Sequence, residues 1–305
     1  ESYGTTRSAA LAAVLQDQGV LLNGITLLST VLDFNTLSPG AGGEDLAYIG
    51  FLPTLAATAW YHNRVPNRPA NLAAFVQSAR DFAAGPYAAA LMRDGALTDA
   101  ERTTVANRMH AFIGLDPKYI LEANLRVTPN RFEKELLRAQ ARTVGRLDSR
   151  YQGIDRDAAG ETPEYDPTDA ATSGPFTAAL NQYVRDDLKW TGDGDYLPTN
   201  YGVVNRAWNF QRGRSRGPAN VAGDLREAMT KNPHLLVFSA NGYYDLATPF
   251  FATQYTLSHL GLDPTLRPHI RYSYYEAGHM VYLNPSALTA FKRDLAAFYD
   301  AATVR

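Results

Sequence analysis

The chain contains no cysteine. This excludes disulfides, thiolate nucleophiles and any zinc site built on sulfur. A large excess of one charge is missing as well: 29 Lys and Arg stand against 31 Asp and Glu. Nothing in that balance calls for nucleic acid or an anionic membrane surface as partner. No run of about 18 apolar residues occurs, so no membrane insertion is expected. No Gly-x-Gly-x-x-Gly or phosphate loop follows a strand-like run, which argues against a nucleotide cofactor. Histidine is scarce, at six residues. His62, His110, His234, His259 and His269 each lack a second His or an acid at metal-ligand spacing. The expectation is therefore no metal and no other cofactor.

What is present is an α/β pattern. Residues 234–240 and 269–276 are short apolar and aromatic runs bounded by Gly, Asn or Pro, which favours buried parallel strands. Each is followed at once by a residue that chemistry can use, Asp245 after the first and His279 after the second. In an open α/β sheet, ligands sit beyond the carboxyl ends of the strands. An acid and an imidazole delivered to that edge form the orienting half of a nucleophilic triad. A hydroxyl to complete it stands at the start of the chain, in Glu1-Ser2-Tyr3-Gly4.

In chain order, residues 5–18 predict a helix with a small-residue face (Ala9, Ala10, Ala13, with Leu11 and Val14) and Gly19 as C-cap. Ser2 then lies just ahead of a helix N-terminus, where backbone N–H groups favour negative charge. Residues 20–32 predict a buried strand whose useful part begins near Ile25. From about Leu52 to Lys231 the texture turns helical. Leu72, Phe75, Val76, Ala79, Phe82 and Ala83 share one face. Thr98 and Glu101 form a capping box, and Phe132, Leu136, Leu137, Ala141 and Val144 mark a further helix. Residues 153–175 predict loop. Asn284 and Pro285 open a final helix that turns Leu288, Phe291, Leu295 and Phe298 inward. A 305-residue chain so arranged reads as a core of residues 1–52 and 231–305, with a helical insertion at 53–230 capping the active edge.

Each chemical residue also has a plain structural role open to it. Ser2 fits an N-cap, Asp245 a turn carboxylate before the helix near Pro249, and His279 a tight-turn histidine after Gly278. Arg206, Arg212, Arg214 and Arg216, with Trp208 and Phe210 between them, fit a solvated loop better than a nucleic-acid patch in a chain of net negative charge. Thr191-Gly192-Asp193-Gly194-Asp195 lacks the calcium-loop pattern. Chain order favours the chemical reading. Ser-x-Gly before a helix, then an acid, then a histidine is the order of α/β-hydrolases and not of the chymotrypsin or subtilisin types.

Glu1-Ser2-Tyr3-Gly4, Gly242-Tyr243-Tyr244-Asp245 and Ala277-Gly278-His279-Met280 resemble the three catalytic blocks of the serine carboxypeptidase family. The LPTLAATAWYH and GRLDSRY segments are similar to its bacterial branch, and the resemblance runs over nearly the whole chain. It implies an α/β-hydrolase fold with a helical cap, incomplete at its N-terminus, and release of a C-terminal amino acid from peptide substrates. It implies Ser2 as nucleophile, His279 as general base, Asp245 as the orienting acid and the Tyr3 backbone N–H as an oxyanion donor. Glu1 resembles the residue that helps bind the substrate carboxylate, and Met280 lies at the pocket wall. A periplasmic or secreted location is implied too. The family's upstream Asn-Gly-Gly-Pro-Gly segment, carrying the second oxyanion donor and the first strands, is absent, so further sequence before Glu1 is expected. The same triad would serve an esterase or acyltransferase, and an inactive fragment acting only in binding is the alternative outside enzymes.

Overall fold

The computed structural model describes residues 1–39, 44–194, 199–209 and 217–303. Helix α1 (Tyr3–Asp17) leads into strand β1 (Gly24–Leu28). A helical block follows: α2 (Leu46–Tyr61), α3 (Leu72–Phe82), α4 (Ala88–Arg93), α5 (Asp99–Ile113), α6 (Pro117–Glu122) and α7 (Pro129–Glu135). Next come strands β2 (Arg142–Val144) and β3 (Gln152–Ile154), then helices α8 (Pro167–Asp186) and α9 (Ala222–Lys231). The chain closes with β4 (Leu236–Gly242), α10 (Phe250–Ser258), β5 (Ile270–Tyr275) and α11 (Pro285–Thr303).

Both expected parallel strands are present within one or two residues of their sequence bounds, but the second is not buried as expected: β5 lies at the sheet edge and is buried only at Ile270 and Tyr275. The main sheet has the order β1-β4-β5, with Gly24 facing Leu236 in one parallel pair and Val237 facing Ile270 in the other. Strand β4 is central and buried at every position, which is why its sequence shows no polar alternation. Its side chains nevertheless sort by parity. Leu235 and Val237 join Ala9 and Ala12 of α1 and Leu225 and Met229 of α9 on one face. Leu236, Phe238 and Ala240 join Ala287, Phe298 and Ala302 of α11 on the other. The small residues of α1 let it lie close on the sheet, as their spacing predicts. Leu11 and Val14 do not share that face; they are 53% and 49% exposed.

The helical block has its own core. Phe51, Leu52 and Leu55 of α2 meet Phe75 and Phe82 of α3, Met109 and Ile113 of α5 and Phe132 of α7. Leu246, the residue after Asp245, belongs to the same cluster, so this core reaches the end of the sheet. The capping box forms as its sequence predicts, with the Thr98 hydroxyl accepting from Glu101 N and the Glu101 carboxylate accepting from Thr98 N. Helix α2 runs unbroken through residue 52. No helix among the described residues is long and apolar enough to cross a membrane.

Three expectations are corrected. The helix expected through Val144 stops early: α7 ends at Glu135, Ala141 turns left-handed at φ 52°, and residues 142–144 pair antiparallel with 152–154. Three-residue strands are too short to show a period of two, so the hydrophobic spacing of 132–144 imitated a helix. The loop expected at 153–175 ends in helix α8 instead, with the Asp166 side chain accepting from Thr168 N and Pro167 at the first turn. That Asp-Pro pair is a start signal, outweighed on reading by the Gly, Pro and Asp around it. The strand expected within residues 20–32 begins at Gly24, next to the expected Ile25, but stops at Leu28, short of residue 32.

Candidate active site

Ser2 sits where the chain turns into α1, with φ 50° and ψ −130°. A non-glycine residue at positive φ is strained, and such strain persists where surrounding structure enforces it. Here Ser2 N donates to Leu28 O at 3.0 Å, fixing the turn against the end of β1. The hydroxyl makes no cap hydrogen bond to its helix, so the N-cap alternative does not describe it. Tyr3 opens α1, which places its amide at the helix N-terminus beside Ser2. Its ring packs on Phe34 at 6.4 Å and edge-on to Trp208 at 5.4 Å.

Asp245 follows β4 and is fully buried. Its Oδ1 accepts from Ala247 N at 2.8 Å and Thr248 N at 2.9 Å, the turn role open to it from sequence. Its Oδ2 accepts from Thr248 Oγ1 at 2.7 Å and lies 2.9 Å from His279 Nδ1. The turn therefore holds the carboxylate against the imidazole. His279 follows β5 and is 6% exposed.

The main chain around this pair is laced by a segment that sequence reading left without a role. Leu246 N donates to Arg146 O at 3.0 Å, His279 N to Leu147 O at 2.6 Å, and Ser149 N to Tyr244 O at 3.0 Å. Residues 146–149 thus bridge the loops that carry Asp245 and His279. Asp166 fixes the bridge in turn, accepting from Arg146 N and Leu147 N at 3.1 Å each. Gly278 is required by this closeness. A Cβ there would stand 2.5 Å from Leu147 O and 2.4 Å from Asp148 Cβ. Ser29, also missed, is buried just past β1; its N donates to Ala240 O at 2.9 Å and its Oγ to His279 O at 2.5 Å. Leu28 and Ser29 therefore hold Ser2 and His279 through adjacent residues. Ser2 Oγ itself is not hydrogen-bonded to His279.

Burial pushes the His279 pKa down, but the charge and hydrogen bond of Asp245 push it up and win, so it lies above the ordinary imidazole value. Glu1 adds to the rise and Arg146 opposes it. Glu1 is exposed, and its Oε2 accepts from Tyr282 Oη at 2.8 Å. Tyr282, whose phenol is pushed up by burial and then by this bond, was not anticipated either. A cleft of about 680 Å³ reaches Leu246 and Ala247, the two residues after Asp245, and is lined also by Phe34, Phe51, Asn130 and Arg146 among others.

No family model, curated protein or solved structure matches the chain. The arrangement has to be judged on its geometry.

By that geometry Asp245 and His279 meet directly, Ser2 joins them at the same sheet edge through β1, and Glu1 reaches His279 by its charge. Met280 is half-buried at the start of a turn over Val281–Leu283 and does not line the cleft. Of the arginine and aromatic group, Phe210, Arg212, Arg214 and Arg216 lie outside the described residues, as does Asp195 of the Asp/Gly run. Among the described residues no group of three or more His, Asp and Glu is placed to hold a metal ion.

Proposed function

We propose that the chain is the C-terminal portion of a serine-type carboxypeptidase of α/β-hydrolase fold, with the helical block as its cap. The observation that carries this reading is the buried Asp245–His279 contact at 2.9 Å, at the sheet edge where the strained Ser2 also stands. Asp245 accepts from the protonated Nδ1, which leaves Nε2 of the neutral ring free to act as base. That is the orienting role a carboxylate takes in such triads.

The chemistry then runs in two halves. Ser2 Oγ attacks the scissile carbonyl as His279 takes its proton, and the Tyr3 N–H at the helix N-terminus stabilises the oxyanion. His279 protonates the leaving amine, the C–N bond breaks and an acyl-Ser2 ester remains. Water, deprotonated by His279, attacks that ester and releases the peptide acid and Ser2. A Ser–His hydrogen bond that tightens only with substrate in place is common in such sites.

Glu1 distinguishes a carboxypeptidase from an esterase or acyltransferase. A substrate's terminal carboxylate docks beside it only when the two carboxyl groups share a proton, since two charges so close repel. KM for peptide acids should then be low at acid pH and rise with pH, whereas KM for matched peptide amides should not follow that rise. Glu1→Gln, able to donate a hydrogen bond at every pH, should flatten the peptide-acid curve. Parallel KM–pH curves for acid and amide would reduce the assignment to a serine hydrolase of other substrate.

A further inference from the structure

Among the described residues, the cleft that reaches Leu246 and Ala247, just after Asp245, has one charged lining residue, Arg146; the others are apolar apart from Ser38, Thr128 and Asn130. The Arg146 side chain is exposed and makes no hydrogen bond or ion pair with any described residue. Arg142 likewise holds no carboxylate, only the Ala141 carbonyl, whereas four other arginines of this region are paired. Arg126, Arg131, Arg138 and Arg150 all hold carboxylates. Two acids near Arg146 are unavailable to it. Asp166 spends its oxygens on the backbone amides of Arg146, Leu147 and Thr168. Glu133 is buried with Oε1 unpartnered, and burial raises its pKa to about 8, so it is largely neutral near pH 7.

Arg146 is also held at a fixed place relative to the chemistry. Its carbonyl accepts from Leu246 N, the next carbonyl from His279 N, and its charge is felt at His279. At the far side of the cleft Phe34 touches Tyr3, the residue after Ser2. A cation whose main chain is held in this way, and whose side chain has no hydrogen-bond or ion-pair partner among the described residues, is placed to recognise an anionic planar group, for which guanidinium supplies a matching fork of donors.

We propose that Arg146 is a specificity-determining residue that binds an Asp or Glu side chain of the substrate next to the bond being cut. This rests on the peptidase reading above. The peptide's terminal carboxylate offers the same chemistry, so the test separates the two. In the full-length protein, kcat/KM is measured for peptide pairs differing only as Glu or Gln at each residue flanking the scissile bond, and for a pair differing as C-terminal acid or amide. The wild type should favour Glu over Gln at one flanking position by about tenfold, the scale of a single charge-assisted contact near solvent. Arg146→Gln should bring that ratio near one and Arg146→Lys should keep part of it. Glu133→Gln should leave it as in the wild type.

An unchanged Glu/Gln ratio in Arg146→Gln overturns the proposal. A change confined to the acid/amide ratio also overturns it, assigning Arg146 to the terminus instead. A second readout needs no turnover: N-acetylglutamate α-amide should shift one arginine Nε–H signal in NMR spectra saturably. N-acetylglutamine amide should not, and Arg146→Gln should abolish the effect. If the wild type cuts no peptide yet shows this shift, the peptidase reading fails and the Arg146 site stands. If it cuts peptides without the shift and without a Glu preference, only the Arg146 assignment fails.

Discussion

Ser29 Oγ donates to the carbonyl oxygen of His279 at 2.5 Å, across 250 residues of sequence. Ser29 is fully buried and, like Ser2, at φ 50°. Its hydroxyl satisfies an acceptor that would otherwise be buried and unpaired, a loss of about 1–3 kcal/mol. Ser29→Ala should therefore lower unfolding free energy by that order in denaturant titration. It should also lower kcat more than it raises KM, because the His279 loop loses a fixed point and no substrate contact is removed.

Thr248 holds the other side of the pair, 2.7 Å from Asp245 Oδ2 and 3.3 Å from His279 Nδ1. Thr248→Val keeps the shape and removes the hydroxyl. The Asp245 carboxylate then loses one donor and competes less for it, so the His279–Asp245 bond should strengthen. The His279 pKa should move further up, read by NMR titration of the imidazole. No movement would show that the hydroxyl is indifferent to the pair.

The raised His279 pKa has a direct kinetic consequence. In the proposed mechanism His279 acts as base only when neutral, so the acid limb of kcat against pH should lie above the usual imidazole range. Glu1 raises and Arg146 lowers this pKa. Glu1→Gln should therefore shift the limb to lower pH and Arg146→Gln to higher pH, each by a fraction of a unit for exposed charges in water. An ester substrate without a free carboxylate isolates this from any effect on docking.

These expectations draw on residues of very different legibility. Asp245 and His279 can be read from sequence because each closes a short local block: an apolar strand, a glycine-containing turn and then the reactive residue. The strands themselves show in their composition, and the small residues of α1 predict the helix that lies on them. The 146–149 bridge, Ser29 and Tyr282 could not be read in this way. Their contacts join points about 100 to 280 residues apart, and neither a backbone carbonyl nor an exposed arginine leaves a pattern in sequence. The β2–β3 pair failed for a different reason, its strands being shorter than any period they could display.

Glu133 offers a test of the fold apart from activity. Its carboxyl is pushed from 4.5 up to about 8 by burial, so the native state holds a proton that the unfolded chain releases. Stability should then be full below about pH 4.5 and fall as pH rises toward 8, by an order of a few kcal/mol for this one group. Glu133→Gln should remove this fall, raising the Tm at pH 7.5 more than at pH 5. An equal change at both values would place Glu133 in contact with solvent.

The sheet also predicts how the 305-residue chain behaves alone. Strand β1 pairs with β4 on one side only, and among the described residues no strand covers its other edge. The exposed Leu11, Val14, Val20 and Leu21 belong to α1 and the turn beside it. An uncovered edge flanked by apolar side chains invites pairing between chains. Purified alone, the chain should self-associate, as read by sedimentation. A monodisperse monomer with a cooperative thermal transition would contradict this.

The proposed role of Ser2 as nucleophile is tested most directly by active-site labelling. The protein is treated with a fluorophosphonate, digested and mapped by mass spectrometry, alongside Ser2→Ala, Asp245→Asn and His279→Ala. A single label is expected, on Ser2. It should be absent in Ser2→Ala and slowed by several orders of magnitude in His279→Ala, with about 10⁴ or more lost for peptide turnover on removal of a triad member. A label that survives Ser2→Ala, or a Ser2 labelled no faster in wild type than in His279→Ala, would contradict that role.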